Sequence, residues 1–219
     1  MAIAMPAQPR NEIDVSIAPL GLQGILGLPE KPVGVVIFAH GSGSGRFSAR
    51  NRYVAHGLQQ AKCATLLFDL LLPDEDAAAD RAFDIPLLAS RLKEAVKWVH
   101  ARSECAGLPI GLFGASTGAG AALLTAAAMP GDIAAVVSRG GRPDLAGPAL
   151  SKVRAPALLI VGGHDTAVIQ LNRLALRQLT GEKLLEIIPS ASHLFEESGT
   201  LEQVLALATR WFLKHFQQA

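Results

Sequence analysis

The sequence predicts a doubly wound α/β fold: a mostly parallel central sheet of about eight strands, with helices on both faces and no lid domain. Three observations predict it. Short, near-continuous apolar runs recur along the whole chain, as expected of strands buried on both faces. Segments with helical spacing alternate with most of them, which favours parallel strands joined by crossover helices. The 219 residues are 50% hydrophobic, enough for one domain with a sizeable core.

The elements follow in order. "EIDVSIA" and "LQGILGLP" read as two opening strands joined near Pro19 and Gly21, after a loose N-terminal arm placed at residues 1–12. "VGVVIFAHG" is a third strand, and "SARNRYVAHGLQQA" a helix behind it. "ATLLFDLL" is the fourth strand; "IPLLASRLKEAVKWVHARSE" is a helix with Leu88, Leu92, Val96 and Val99 on one face. "LPIGLFG", "IAAVVS", "APALLIVGG" and "KLLEIIPS" complete the sheet. The last helix, "TLEQVLALATRWFLKHFQ", carries Leu201, Val204, Leu205, Ala208, Trp211 and Phe212 on one stripe. Its Thr200 and Gln203 have the spacing of a capping box. Residues 1–219 are expected to form a single domain, with neither repeat nor linker.

Composition removes several function classes. A formal net charge of +1 gives no field to attract nucleic acid or an anionic membrane. No segment approaches the roughly 20 apolar residues of a membrane span, and the proline-broken N-terminus lacks a signal-peptide core. Cys63 and Cys105 have no metal-like spacing and suit a reducing compartment. The expectation is a cytoplasmic protein acting on a small molecule, without nucleic acid, membrane, metal or cofactor; a homodimer is left open.

In such sheets ligands sit at the carboxyl ends of the strands, so the residues just after each apolar run matter most. The segment "IGLFGASTGAGAALL" reads as strand, tight turn and helix. Gly114-Ala115-Ser116-Thr117-Gly118 fits G-x-S-x-G, in which the apex residue takes a strained conformation and glycines relieve crowding around it. Ser116 would stand above the sheet edge, at a helix N-terminus that favours negative charge. A serine that merely caps the helix would also explain it. A dinucleotide fingerprint fits poorly, because Ser116 stands where its central glycine should be.

A serine nucleophile needs a base and an orienting acid. His56, His100 and His215 lie within helical segments and read as surface or packing residues. His40 ends the third strand run, where it reads as a brace for the "GSGSG" loop. His193, in the loop after the last strand run, is placed as the base, and Asp165, after "IVGGH", as the acid. His164 would precede the acid with no loop to swing it over Ser116. Asp144, after the sixth run, is the alternative acid. Asp69 and Asp74 read as turn or capping residues, and Ser48 as a helix cap. The chain order Ser116, Asp165, His193 is that of triads borne on strand ends of an α/β sheet.

Together "HGSGSG", "GASTGAG", "GGHD" and "SASHLF" resemble the α/β-hydrolase superfamily, and within it the dienelactone hydrolase-like branch, from about Ile13 onward. The resemblance implies the α/β-hydrolase fold, with Ser116 as nucleophile, His193 as base and Asp165 as acid. Dienelactone hydrolases proper carry a cysteine at the elbow. Ser116 in its place favours ordinary ester chemistry, that is, a carboxylesterase-type serine hydrolase. An acyltransferase or thioesterase on the same triad, or a silent hydrolase-like binding protein, are the alternatives.

The oxyanion hole is expected from the amides of Thr117 and of Ser42, with Gly43 next. The "GSGSG" run lacks the Lys-Ser/Thr ending of a phosphate-binding P-loop. Arg46 and Arg50 follow this loop, and Arg139 and Arg142 follow the sixth strand run. Arg46, Arg50 and Arg139 are candidates for binding a substrate carboxylate or phosphate, unless they are solvated or paired with acids. Only about 16 residues separate "IAAVVS" from "APALLIVGG". That leaves no room for a lid, so the site should be open and suited to short-acyl substrates.

Overall fold

The computed structural model describes residues 11–76 and 80–218. Most of the expected N-terminal arm therefore lies outside the described residues. Its boundary needs one correction: Glu12 is already paired, opposite Gly27.

Eight strands form one sheet: β1 (Glu12–Ile17), β2 (Leu22–Gly27), β3 (Gly34–Ala39), β4 (Cys63–Phe68), β5 (Ile110–Ala115), β6 (Ile133–Arg139), β7 (Ala157–Gly162) and β8 (Lys183–Ile188). Their spatial order is β1-β2-β4-β3-β5-β6-β7-β8. The β1–β2 and β2–β4 pairings are antiparallel and all the others parallel. β3, β4, β5 and β7 are buried at every position, which is why their sequences run apolar without alternation. β8 is the exception among the later strands. It lies at the sheet edge and leaves Leu184 exposed, although its sequence resembles the central runs.

The helices are α1 (Ala49–Gln60), the short α2 (Pro73–Asp76), α3 (Ile85–His100), α4 (Thr117–Ala128), α5 (Thr166–Gln178) and α6 (Thr200–Phe216). One core layer joins the sheet to α3, α4 and α5 through Leu88, Leu92, Val96, Leu123 and Ala175. The other joins it to α1 and α6 through Val54, Leu58, Val204, Trp211 and Phe212. The helical stripes on α3 and α6 therefore face the core as the spacing predicts. α1 is capped by Ser48, whose hydroxyl accepts from the Asn51 amide.

The capping box on α6 does not form. Gly199 occupies the N-cap in a left-handed conformation (φ 79°) and offers no side-chain acceptor. The Thr200 hydroxyl is spent on the Glu197 carbonyl (2.6 Å), and the Gln203 side-chain amide donates to the Gly199 carbonyl. α5 is absent from the helices that the spacing predicts. Its buried face, Val168, Ile169, Asn172 and Ala175, is interrupted by a polar residue. Between β6 and β7 the chain makes only two short 3₁₀ turns within Pro143–Lys152, broken at Gly147 (φ 52°).

Candidate active site

The carboxyl ends of β5, β7 and β8 bring the predicted triad residues to one edge of the sheet. Ser116 follows β5 directly, with φ 51° and ψ −122°, a left-sided conformation that is costly for a residue with a side chain. Its hydroxyl makes no capping bond to α4, so helix capping does not explain the residue. The turn is held from both sides. The Ser116 amide donates to the Arg139 carbonyl (3.3 Å), and the Arg142 amide donates to the Ser116 carbonyl (2.9 Å).

The flanking glycines are required by close approach. A Cβ on Gly114 would stand 2.4 Å from Ala119 Cα, in the first turn of α4. One on Gly118 would stand 2.1 Å from the Ala39 carbonyl oxygen and 2.6 Å from that of His40. Gly118 thus serves the packing of α4 against the end of β3, beyond relieving the turn itself. Gly120 serves packing alone: a Cβ there would meet Leu145 Cβ at 2.8 Å.

Asp165 and His193 are in contact. His193 Nδ1 lies 2.6 Å from Asp165 Oδ2, while Oδ1 of the same carboxylate accepts from the Val168 amide and caps α5. The pair is half-open to solvent, His193 being 40% exposed and Asp165 15%. The two glycines of "GGHD" make the pair possible. A Cβ on Gly162 would meet the Ser192 carbonyl oxygen at 2.4 Å, and one on Gly163 would meet the Pro189 carbonyl oxygen at 2.4 Å. The histidine loop is laced to them by Gly163 N–H to Ile188 C=O and His164 N–H to Ala191 C=O. Phe195, buried and at φ 56°, anchors the loop from below. A Cβ on Gly140, after β6, would lie 2.9 Å from the His193 carbonyl oxygen. The His193 loop therefore rests on the same β6 end whose Arg139 carbonyl binds Ser116.

The remaining candidates separate cleanly. Asp144 is held by a two-pronged contact with Arg142 (2.9 and 2.8 Å) and makes no bond to His193. His164 is exposed. His56 is buried against Glu12 (3.0 Å), and His215 is buried beside Trp211, where burial lowers its pKa. His40 braces the loop after β3, as expected. Its Nδ1 faces the Gly41 carbonyl (2.9 Å) and its Nε2 accepts from the Leu70 amide (3.0 Å). Among the described residues no cluster of three or more His, Cys, Asp or Glu side chains could hold a metal ion.

The oxyanion expectation is corrected in part. Thr117 begins α4, so its amide has no intrahelical acceptor. The Ser42 amide, by contrast, is committed: it donates to Thr117 Oγ1 at 3.1 Å. That bond ties the β3 loop to the elbow, and Gly41 packs so closely there that its Cβ would stand 2.9 Å from Ser116 Cβ. The same loop lines a groove of about 890 Å³, together with Gln23, Arg46, Phe47 and Arg50 among others.

Of the candidate arginines, Arg46 is ion-paired with Asp69, whose carboxylate also accepts the Arg46 amide (2.7 Å). Arg50 meets Glu196 of the histidine loop (3.1 Å). Arg139 is buried and donates to Asn51 Oδ1 (3.3 Å). Burial, with the neighbouring charge of Arg50, lowers its pKa to about 10, so it remains a cation at neutral pH. The sequence placed Arg139 at the site but gave no sign of its burial. Asn172 was missed altogether. Fully buried, it donates to the Gly141 carbonyl (2.9 Å) and steadies the turn that binds Ser116.

Residues 22–203 match the sequence profile of the Dienelactone hydrolase family. The chain belongs to this family. The dienelactone hydrolase from Anabaena variabilis, seen in a crystal structure, is 53% identical, with a TM-score of 0.90 over 95% of this chain and 99% of that one. Est1E from Butyrivibrio proteoclasticus shares the fold at 16% identity, with a TM-score of 0.78 over 94% of this chain and 99% of its own. Curated relatives from two strains of Mycobacterium tuberculosis, provisionally named phosphoribosyl transferases, are 54% identical over 98% of this chain. The chain spans about half the length of those relatives, 48%. This dienelactone hydrolase-family chain thus has the α/β-hydrolase fold, and among its described residues no helix is long and apolar enough to cross a membrane.

Proposed function

We propose that the chain is a serine hydrolase that cleaves short-chain carboxylic esters through an acyl-enzyme on Ser116, with His193 as base and Asp165 as orienting acid. The observation that carries this reading is the conformation of Ser116, φ 51° at a strand-to-helix turn, on the same sheet edge as the 2.6 Å His193–Asp165 contact.

Chemistry follows from the geometry. With the Asp165 carboxylate on Nδ1, that nitrogen carries the proton and Nε2 is left as the acceptor. As Ser116 Oγ attacks the carbonyl carbon, its proton passes to His193 Nε2, and Asp165 stabilises the imidazolium. The charge that develops on the carbonyl oxygen falls at the N-terminus of α4, where the Thr117 amide donates to it. His193 returns the proton to the departing alcohol. Water, deprotonated by the same nitrogen, then attacks the acyl carbon; the bond to Ser116 Oγ breaks, His193 returns the proton to that oxygen, and the carboxylic acid leaves.

The substrate is a small soluble ester, handled without a metal or organic cofactor, in the cytoplasm. The transferase name of the mycobacterial relatives we assign to the half of those proteins that lies outside the matched segment. Acyl transfer and thioester hydrolysis would use the same residues, and offering alcohol acceptors or thioester substrates separates them from ester hydrolysis by product analysis.

Ser116→Ala tests the assignment. Ester turnover should fall on the order of 10⁴-fold or more, and labelling by a fluorophosphonate should vanish, while the circular dichroism stays that of the wild type. Near-normal turnover in the folded variant would sink it.

A further inference from the structure

We propose that Arg139 and Arg50, together with Asn51, form an oxyanion subsite that takes a carboxylate or phosphate group carried by the substrate. The proposal rests on the ester-hydrolase reading above and deepens it.

The anomaly is Arg139. It is only 7% exposed, its acceptor Asn51 Oδ1 is neutral, and its Nε is buried with no acceptor. A buried Nε without an acceptor is not rare here, since Arg52, Arg91 and Arg102 share it, but each of those has a carboxylate at its Nη2. Among the described residues no carboxylate lies within 4.0 Å of Arg139. The charged side chain acting on it is another cation, Arg50, whose own Nε is likewise buried without an acceptor. Arg50 has one partner, Glu196, which is 60% exposed and therefore well solvated. Of the two neighbouring guanidinium groups, only Arg50 thus meets a carboxylate, and that one is well solvated. Removing a guanidinium from water is costly unless an anion compensates it, and a planar fork of donors matches the oxygens of carboxylate or phosphate.

The place is right for a substrate group. Arg139 lies in register with Ala115, the residue before Ser116, and its carbonyl binds the Ser116 amide. Its guanidinium stands 5.9 Å from the ring of Phe195, two residues past His193. Arg50 lines the groove that also reaches Ser42. Arg46, the other arginine of that wall, is spent on Asp69.

The test uses esters of one acyl group whose alcohol carries a neutral, a carboxylate or a phosphate group at matched length. Wild-type protein should favour an anionic member. Arg139→Met and Arg50→Gln should each lower the anionic-to-neutral ratio of kcat/KM by about tenfold, the worth of one charge-assisted hydrogen bond. The anion whose ratio falls furthest names the group. Arg50 is partly exposed, so its variant keeps the test alive if Arg139→Met does not fold. Separately, inorganic phosphate and acetate titrated into Ser116→Ala protein should raise its Tm saturably, and Arg139→Met in that background should remove the effect. A ratio near one in the wild type, or one unmoved by both substitutions, overturns the subsite. Ester turnover surviving in Ser116→Ala would instead overturn the nucleophile, and the anion titration would still decide the subsite by itself.

Discussion

Asp165 is asked to do two things at once. One oxygen caps α5 through the Val168 amide and the other holds His193. An asparagine can keep the cap, but its amide nitrogen offers a proton where the imidazole Nδ1 needs an acceptor, so the ring would be held in the wrong tautomer. Asp165→Asn should therefore cut kcat by roughly 10³–10⁴-fold with little loss of stability. Asp144→Asn should stay within a few-fold of wild type, since Asp144 is already engaged by Arg142. Steady-state kinetics on both variants decide between them, and a dead Asp144 variant would move the acid to the end of β6. At this scale the sequence was informative where placement depends on residue type and order, as with Ser116 at a strained strand-to-helix turn and the contact between Asp165 and His193. It was silent where a role depends on what lies opposite. Nothing in "SGSG" says that the Ser42 amide will bond to Thr117 Oγ1, and nothing in "RNRY" says that Asn51 will face Arg139.

Among the elements, α4 shows how closely the site depends on packing. Its N-terminus can stand under Ser116 only because Gly118 lets the helix touch the backbone at the end of β3. A methyl group there would meet carbonyl oxygens, which cannot swing aside as a flexible side chain can. Gly118→Ala should cost about 3 kcal/mol or more by urea unfolding and should remove activity with it. A wild-type midpoint with full activity would show that β3 and α4 can part without consequence. The helices α3 and α6 were legible because their stripes are unbroken. α5 was not, because Asn172 interrupts its buried face to serve the Gly141 turn. The capping pattern on α6 misled for a related reason. Gly199 accepts a left-handed conformation and takes the cap, leaving the Thr200 hydroxyl for Glu197.

For the molecule as a whole, the connection between β6 and β7 holds only two short 3₁₀ turns and no inserted lid helix, and His193 stays 40% exposed. A long acyl chain would find little apolar wall, so each added methylene should gain little of the roughly 0.8 kcal/mol that full burial provides. Plots of kcat/KM against acyl length should peak between acetyl and butyryl, and a peak at long chains would refute the open site. The sequence alone determined the mostly parallel sheet, the eight strands, the strand-to-helix turn at Ser116 and the chain order of Ser116, Asp165 and His193. Those follow from local patterns: apolar runs buried on both faces, and glycines spaced around a strained serine. Only the tertiary structure decided that the Ser42 amide is committed, that Arg46 is neutralised by Asp69, and that Arg139 is buried with no carboxylate beside it among the described residues. Each of those depends on which residue stands across a contact between segments far apart in the chain, and it is the partner and the burial that fix what a charge or an amide can do.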